Sequence, residues 1–187
     1  MTPEERVQML LTSAAALNVG RAYDEVLEQV SARADTFGSL GKLDLGALTA
    51  WKRLRADTPW MAKLMALPDD DVRAHTGRAV TAARDESKSV PEAASAARSA
   101  LYPLPGFGHG PALASAVCFA AAPHRLAVYD SRAHRGLSRV GLELAYGHGC
   151  YGPYMALLTQ CCSELATEGH NWTARQVDLA LFQLGHR

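Results

Sequence analysis

The chain has 187 residues, 48% hydrophobic and 20% charged, with 19 basic against 19 acidic side chains and a formal net charge of zero. That length supports one domain, or two closely packed lobes, with a sizeable core. The composition is that of an ordinary globular protein, and no run approaches the roughly twenty apolar residues of a membrane span.

The opening Met1-Thr2-Pro3-Glu4-Glu5-Arg6 lacks the basic-then-apolar layout of a signal peptide, so a cytoplasmic protein without a membrane partner is expected. Thr2 reads as an N-cap, with Pro3 at the first helical position and Glu5 at the third. Val7, Leu10, Leu11, Ala14 and Leu17 then recur at helical spacing up to Gly20. A second helix is predicted over about 21–34, with Tyr23, Val26, Leu27 and Val30 on one face, followed by a loop at 36–41. Asp44 is the expected cap of a third helix through Trp51 to about Arg55. Thr58-Pro59-Trp60 opens a short fourth, with Met61, Leu64 and Met65 inward. Pro68 and three aspartates begin a fifth through Val72, His75 and Val80 to about Asp85. Carboxylates in a first turn are favoured by the helix dipole, and these three do not read as a metal site.

Ser89-Val90-Pro91-Glu92 is a capping box before an alanine-rich helix to Leu101. Residues 111–122 form the next helix, whose Ala112, Ala114, Ser115 and Ala116 permit close packing, and Pro123 ends it. Residues 124–129 read as extended, burying Leu126 and Val128, and Asp130 stands at the N-cap of a helix to about Val140. The stretch 146–152 is the most irregular. Two more helices are predicted, over 153–167 with Met155, Leu158 and Leu165 inward, and after a Thr173 cap with Val177, Ala180, Leu181 and Leu184 inward. There is no internal repeat and no strand pair. The fold class is all-α.

Cys118, Cys150, Cys161 and Cys162 form no C-x-x-C pair, so neither a zinc site nor a disulfide framework is signalled. His148 beside Cys150 supplies at most half of a metal site, and buried free thiols are expected.

The turn Leu104-Pro105-Gly106-Phe107-Gly108-His109-Gly110-Pro111 carries three glycines at alternate positions. With no Cβ, its main-chain N–H groups can approach another molecule closely. It opens into a helix, whose free N–H groups and dipole favour an anion. Helix, turn and helix over about 92–122 make a phosphate-gripping hairpin. From Arg98 to Arg139, five arginines (Arg98, Arg125, Arg132, Arg135, Arg139) face one acid, Asp130, a local excess suited to a few phosphates despite the zero net charge. On these residues alone, a plain αα-turn with solvated arginines stays open.

The strings LPGFGHGPALASAV (104–117) and AVYDSRAHRGLSRVGL (127–142) resemble the helix-hairpin-helix DNA glycosylase superfamily. In that family a hairpin of the form L-P-G-hydrophobic-G leads through a helix and an extended bend to a catalytic aspartate. Leu104, Pro105, Gly106 and Gly108 fall on the hairpin pattern and Asp130 falls on the aspartate. Arg135 matches an arginine common after it, and Arg139-Val140-Gly141-Leu142 looks like the family's R-L-G-L ending. The resemblance implies a two-lobed all-α glycosylase fold as one domain over 1–187, with the aspartate segment at 127–140. It implies double-stranded DNA containing a modified base as partner, gripped by Gly106, Gly108, His109, Gly110, Arg132 and Arg135, and a monomeric protein. Backbone carbonyls near Leu104 and Gly106 would hold a monovalent cation, as in many members. No side-chain metal site and no other cofactor are expected.

Bifunctional members carry a lysine two residues after the second hairpin glycine, where this chain has Gly110. All four lysines (Lys42, Lys52, Lys63, Lys88) precede the hairpin, Arg132 replaces a frequent histidine, and the four-cysteine iron–sulfur loop is missing. The resemblance therefore implies a monofunctional enzyme.

Cleaving an N-glycosidic bond builds positive charge on the sugar, which one fixed carboxylate can stabilise while it orients water. Asp130 is the candidate, and a capping role can coexist with that one. The base must leave the duplex for a pocket. Trp51, Trp60, Tyr129, Tyr151, Tyr154 and Trp172 are candidate walls, and Trp51, Lys52, Tyr129, Tyr151 and Tyr154 are the residues placed there. The expected activity is excision of a modified base to leave an abasic site. Gly110 leaves room beside the sugar for a bulky base such as glucosylated hydroxymethylcytosine, and some glycosylases of this kind act against phages with modified DNA. The alternatives are an oxidised-purine glycosylase, a non-catalytic DNA-binding module, and a lyase whose amine is Lys52.

Overall fold

The structure, a computed structural model, describes residues 1–16, 21–108, 110–145, 147 and 149–186, with the side chains of 21 and 22 left out. Among them are ten helices and no strand: α1 (Pro3–Ala15), α2 (Arg21–Phe37), α3 (Lys42–Trp51), α4 (Pro59–Ala66), α5 (Asp69–Arg84), α6 (Val90–Leu101), α7 (Ala112–Ala121), α8 (Ser131–Arg139), α9 (Tyr151–Thr167) and α10 (Ala174–Leu184). No helix is long and apolar enough to cross a membrane, among the described residues. The expectations for Leu17, Gly20, His109 and His148 lie outside the described residues.

The caps follow the local chemistry. Thr2 and Glu5 close a reciprocal box on α1, Thr173 and Gln176 do the same on α10, and Asp130 caps α8. Three expectations are corrected. Helix α3 is capped by Gly41 rather than Asp44; Asp44 sits in the first turn and accepts the Gly41 N–H at 2.8 Å and the Arg33 guanidinium. Met65 is 40% exposed, because the short α4 buries only Met61 and Leu64. Tyr23 is 43% exposed and is held outside the core by its hydroxyl, which donates to the Trp51 carbonyl.

Helices α1, α8, α9 and α10 pack on one another, and α2, α3, α5, α6 and α7 form a second set of contacts. The α6–α9 packing joins them. Close approaches use glycine: a Cβ on Gly136 of α8 would lie 2.1 Å from the Leu181 carbonyl oxygen of α10. A Cβ on Gly152 of α9 would lie 2.0 Å from Ser95 Oγ of α6. A single buried cluster runs through both sets, with α7 almost wholly inside it. Such burial contributes roughly 25 cal/mol per Å² of apolar area.

The extended stretch expected over 124–129 is shorter: 123–125 make a turn closed by the Arg125 and Leu126 N–H groups on the Ala122 carbonyl, and only 126–129 run on without a turn. Leu126 and Val128 are buried, and Ser115 on α7 grips the end of this segment, donating to the Tyr129 carbonyl at 3.2 Å and accepting its N–H at 3.0 Å. This clamp delivers Asp130 to its place.

Candidate active site

Asp130 has extended backbone, and its Oδ1 accepts the N–H groups of Arg132 (2.9 Å) and Ala133 (3.0 Å). One oxygen is thus spent on the helix end. The other, Oδ2, lies 3.4 Å from Lys52 Nζ. The carboxylate is 25% exposed and the lysine side chain only 8%.

Lys52 reaches this point because of how α3 stops. The Leu54 N–H bonds to the Thr49 carbonyl and the Arg53 N–H to the Ala50 carbonyl, both at 3.0 Å. That is a Schellman closure, which needs a left-handed residue, usually glycine. Here Arg53 takes it, with φ 54°, the sole positive-φ non-glycine residue among those described. A left-handed L-residue costs roughly 1–2 kcal/mol, and such strain is concentrated at functional sites. The turn sends Lys52 inward, over the Trp51 ring at 5.6 Å from its centroid, and sends Arg53 outward over the Tyr23 ring.

Both residues line a cavity of about 1070 Å³ between the ends of α3, α7, α8 and α10. Ligand pockets run to roughly 300–1,000 Å³, so this one suits a large ligand. Trp51, Lys52, Tyr129 and Tyr151 line it as expected. Tyr154 does not. It is wholly buried behind the wall and donates to Asp178 Oδ1 at 2.9 Å, so the pocket role assigned to it is replaced by a bracing one. Trp60 and Trp172 also lie away from the cavity lining, and both pack partly buried against the core.

Asp178 and Arg175 of α10, with Asp24 of α2, form a charged wall. Arg175 donates to Asp178 Oδ2 at 2.5 Å and to Asp24 Oδ2 at 3.2 Å. Its guanidinium also sits over the Trp51 and Phe119 rings. Burial pushes the Asp178 carboxyl up from its ordinary value, against the pull of Arg175 and the Tyr154 hydroxyl. Burial likewise raises Tyr151 and Tyr154 and lowers His134, which shares a 2.8 Å hydrogen bond with the Tyr129 hydroxyl. Sequence reasoning missed Asp24, Arg175 and Asp178. For Asp178 the signal available was the stripe Asp178, Leu179, Phe182 and Gln183 on α10, with His186 just beyond its end, at helical spacing beside the core stripe; all five line the cavity.

The hairpin divides in two. Gly106 has φ 90°, and a Cβ there would lie 2.1 Å from the Trp60 ring, so its bare backbone is covered by indole. Gly108 has open space around it, and Gly110, with φ 73°, is open and on the cavity wall. His109 lies outside the described residues. The Leu104 carbonyl already accepts the Phe107 N–H at 3.1 Å, so a monovalent cation there would share that oxygen. Among the described residues no group of three or more His, Cys, Asp or Glu could hold a metal. Arg132 stands at the rim over the Phe182 ring. Arg135 instead donates to the Gly185 carbonyl at 3.1 Å and tethers the end of α10. Cys118, Cys150 and Cys161 are buried free thiols, and burial pushes Cys118 and Cys161 up to about 12.

Compared with known proteins, the chain matches no family model, no curated sequence and no solved structure. A functional reading therefore stands on the residues and their geometry.

Proposed function

We propose that this protein is a DNA N-glycosylase of the two-lobed helix-hairpin-helix kind, which takes an extruded modified base into the cavity and hydrolyses its glycosidic bond. One observation carries the reading: Asp130, at the end of the LPGFG-to-VYD segment, is fixed by two N–H groups on the wall of a cavity of about 1070 Å³. A carboxylate so fixed needs little reorganisation to stabilise an oxocarbenium-like sugar. The open turn at Gly108 and Gly110, with Arg132, supports phosphate contact beside it. The volume has room for a hypermodified pyrimidine of the glucosylated hydroxymethylcytosine type, as in defence against phages with modified DNA, and an oxidised purine is the competing substrate.

Asp130→Asn makes a clean test because asparagine caps a helix about as well as aspartate. Base release is measured on unmodified, oxidised, alkylated and glucosylated phage DNA. The expected result is release from one substrate, reduced by about 10²–10³-fold in the variant, with duplex binding retained. If no DNA in the panel loses a base while binding persists, the hairpin is only a grip and the enzyme reading falls.

A second reading is favoured by Lys52, whose ammonium sits 3.4 Å from the same carboxylate. In it Lys52 first passes a proton to Asp130, and the freed amine attacks the sugar C1′; the base leaves with the glycosidic electron pair and takes up a proton, and opening of the sugar ring gives an iminium that permits strand cleavage. Borohydride trapping of a covalent complex, lost in Lys52→Gln, selects this reading. Base release without any trapped species selects simple hydrolysis.

A further inference from the structure

We infer that Arg53, Arg98 and Arg132 form a three-point guanidinium rim that grips the phosphates flanking one nucleotide drawn into the cavity. The three come from separate elements, the turn after α3, helix α6 and the first turn of α8, yet all line the same cavity. None has a carboxylate partner among the described residues, although the other two cations named on this cavity do: Lys52 pairs with Asp130, and Arg175 with Asp24 and Asp178. Each of the three rests instead over an aromatic ring, Arg53 on Tyr23, Arg98 on Tyr102 and Arg132 on Phe182, at 4.9–5.9 Å. Such stacking holds a guanidinium in place and leaves its N–H fork free for phosphate oxygens. The occupant follows from charge: uncompensated cations around the mouth, and paired charges inside.

Two further observations agree. Arg53 is held in the strained left-handed conformation that aims it at the rim. The open backbone of Gly110, at the start of α7, lies on the same wall, where helix N–H groups add to the attraction for an anion. The Arg135 fork, bonded to the Gly185 carbonyl, is not part of this set.

The inference rests on the DNA reading above, but its test does not use base release. Binding of a fluorescent duplex with one central tetrahydrofuran abasic analogue is measured by anisotropy from about 50 to 200 mM salt, where log K falls with a slope near −0.9 per phosphate contact. Arg53→Gln, Arg98→Gln and Arg132→Gln are each expected to flatten the slope by about 0.9, and the triple variant by about 2.7. Thermal melting confirms that the variants fold. A slope unchanged in the folded triple variant overturns the rim, as does a failure of the wild type to bind at about 50 mM salt. Flattened slopes with no base released from any DNA leave the rim standing and remove the glycosylase. Base release with unchanged slopes does the reverse.

Discussion

At the scale of single residues, the two kinds of glycine in the hairpin separate packing from access. A side chain on Gly106 meets both a left-handed backbone and the Trp60 ring, and neither can yield cheaply. Gly106→Ala is expected to cost about 2–4 kcal/mol from backbone strain and overpacking together. Gly108→Ala meets open space and is expected to stay within about 0.5 kcal/mol. Urea melts of the two variants check this. Equal losses would show that Trp60 does not lean on the turn. Arg53 is the converse case. A glycine belongs at that position on local grounds, yet an arginine is placed there at the mouth of the cavity.

At the scale of elements, α10 is tied to α2 through the Arg175 guanidinium and to α9 through the Asp178 carboxylate, which accepts the Tyr154 hydroxyl. Arg175→Met leaves Asp24 and the buried Asp178 uncompensated, and breaking such a pair costs about 3–5 kcal/mol. The loss depends on pH. Burial raises the Asp178 carboxyl above its unfolded value, so its neutral form is the one that folding favours. That contribution is complete below the ordinary value near 4 and is lost as pH rises through the folded value. The deficit of Arg175→Met is therefore expected to be smallest near pH 4 and to grow toward pH 7 in chemical denaturation. A deficit independent of pH would mean that Asp178 is not the group left uncompensated. This same link marks the limit of what a sequence can disclose. The caps at Thr2, Asp130 and Thr173 were legible because each is decided within four residues. The tight turn between α6 and α7 was legible because its glycines and prolines are local too. Asp24 and Arg175 meet across 151 positions, and no local signal names either partner. Lys52 was legible only as a lysine beside a tryptophan. Its arrival at Asp130 depends on a left-handed turn that contains no glycine to announce it.

At the scale of the whole molecule, the cavity gathers residues from α2, α3, α6, α7, α8, α9 and α10, so occupancy braces both sets of helices at once. A ligand bound only by the folded form stabilises by about 2.7 kcal/mol at a hundredfold excess over Kd. For a chain of this size, 1 kcal/mol moves Tm by roughly 2–4 °C. The abasic-analogue duplex is thus expected to raise Tm by about 5–11 °C at that excess, in a single transition. A split transition in the complex would show that one set of helices binds without the other.

The indole lying on Gly106 has an optical consequence. The chain holds three tryptophans, one in the cavity wall at Trp51, one against the hairpin at Trp60 and one packed elsewhere at Trp172. With Trp51 and Trp172 replaced by phenylalanine, the remaining emission comes from a chromophore in contact with the glycine turn itself. The protein carries its own label at the turn, and the wavelength of that glow registers whether the turn stays seated or lifts when the cavity is filled.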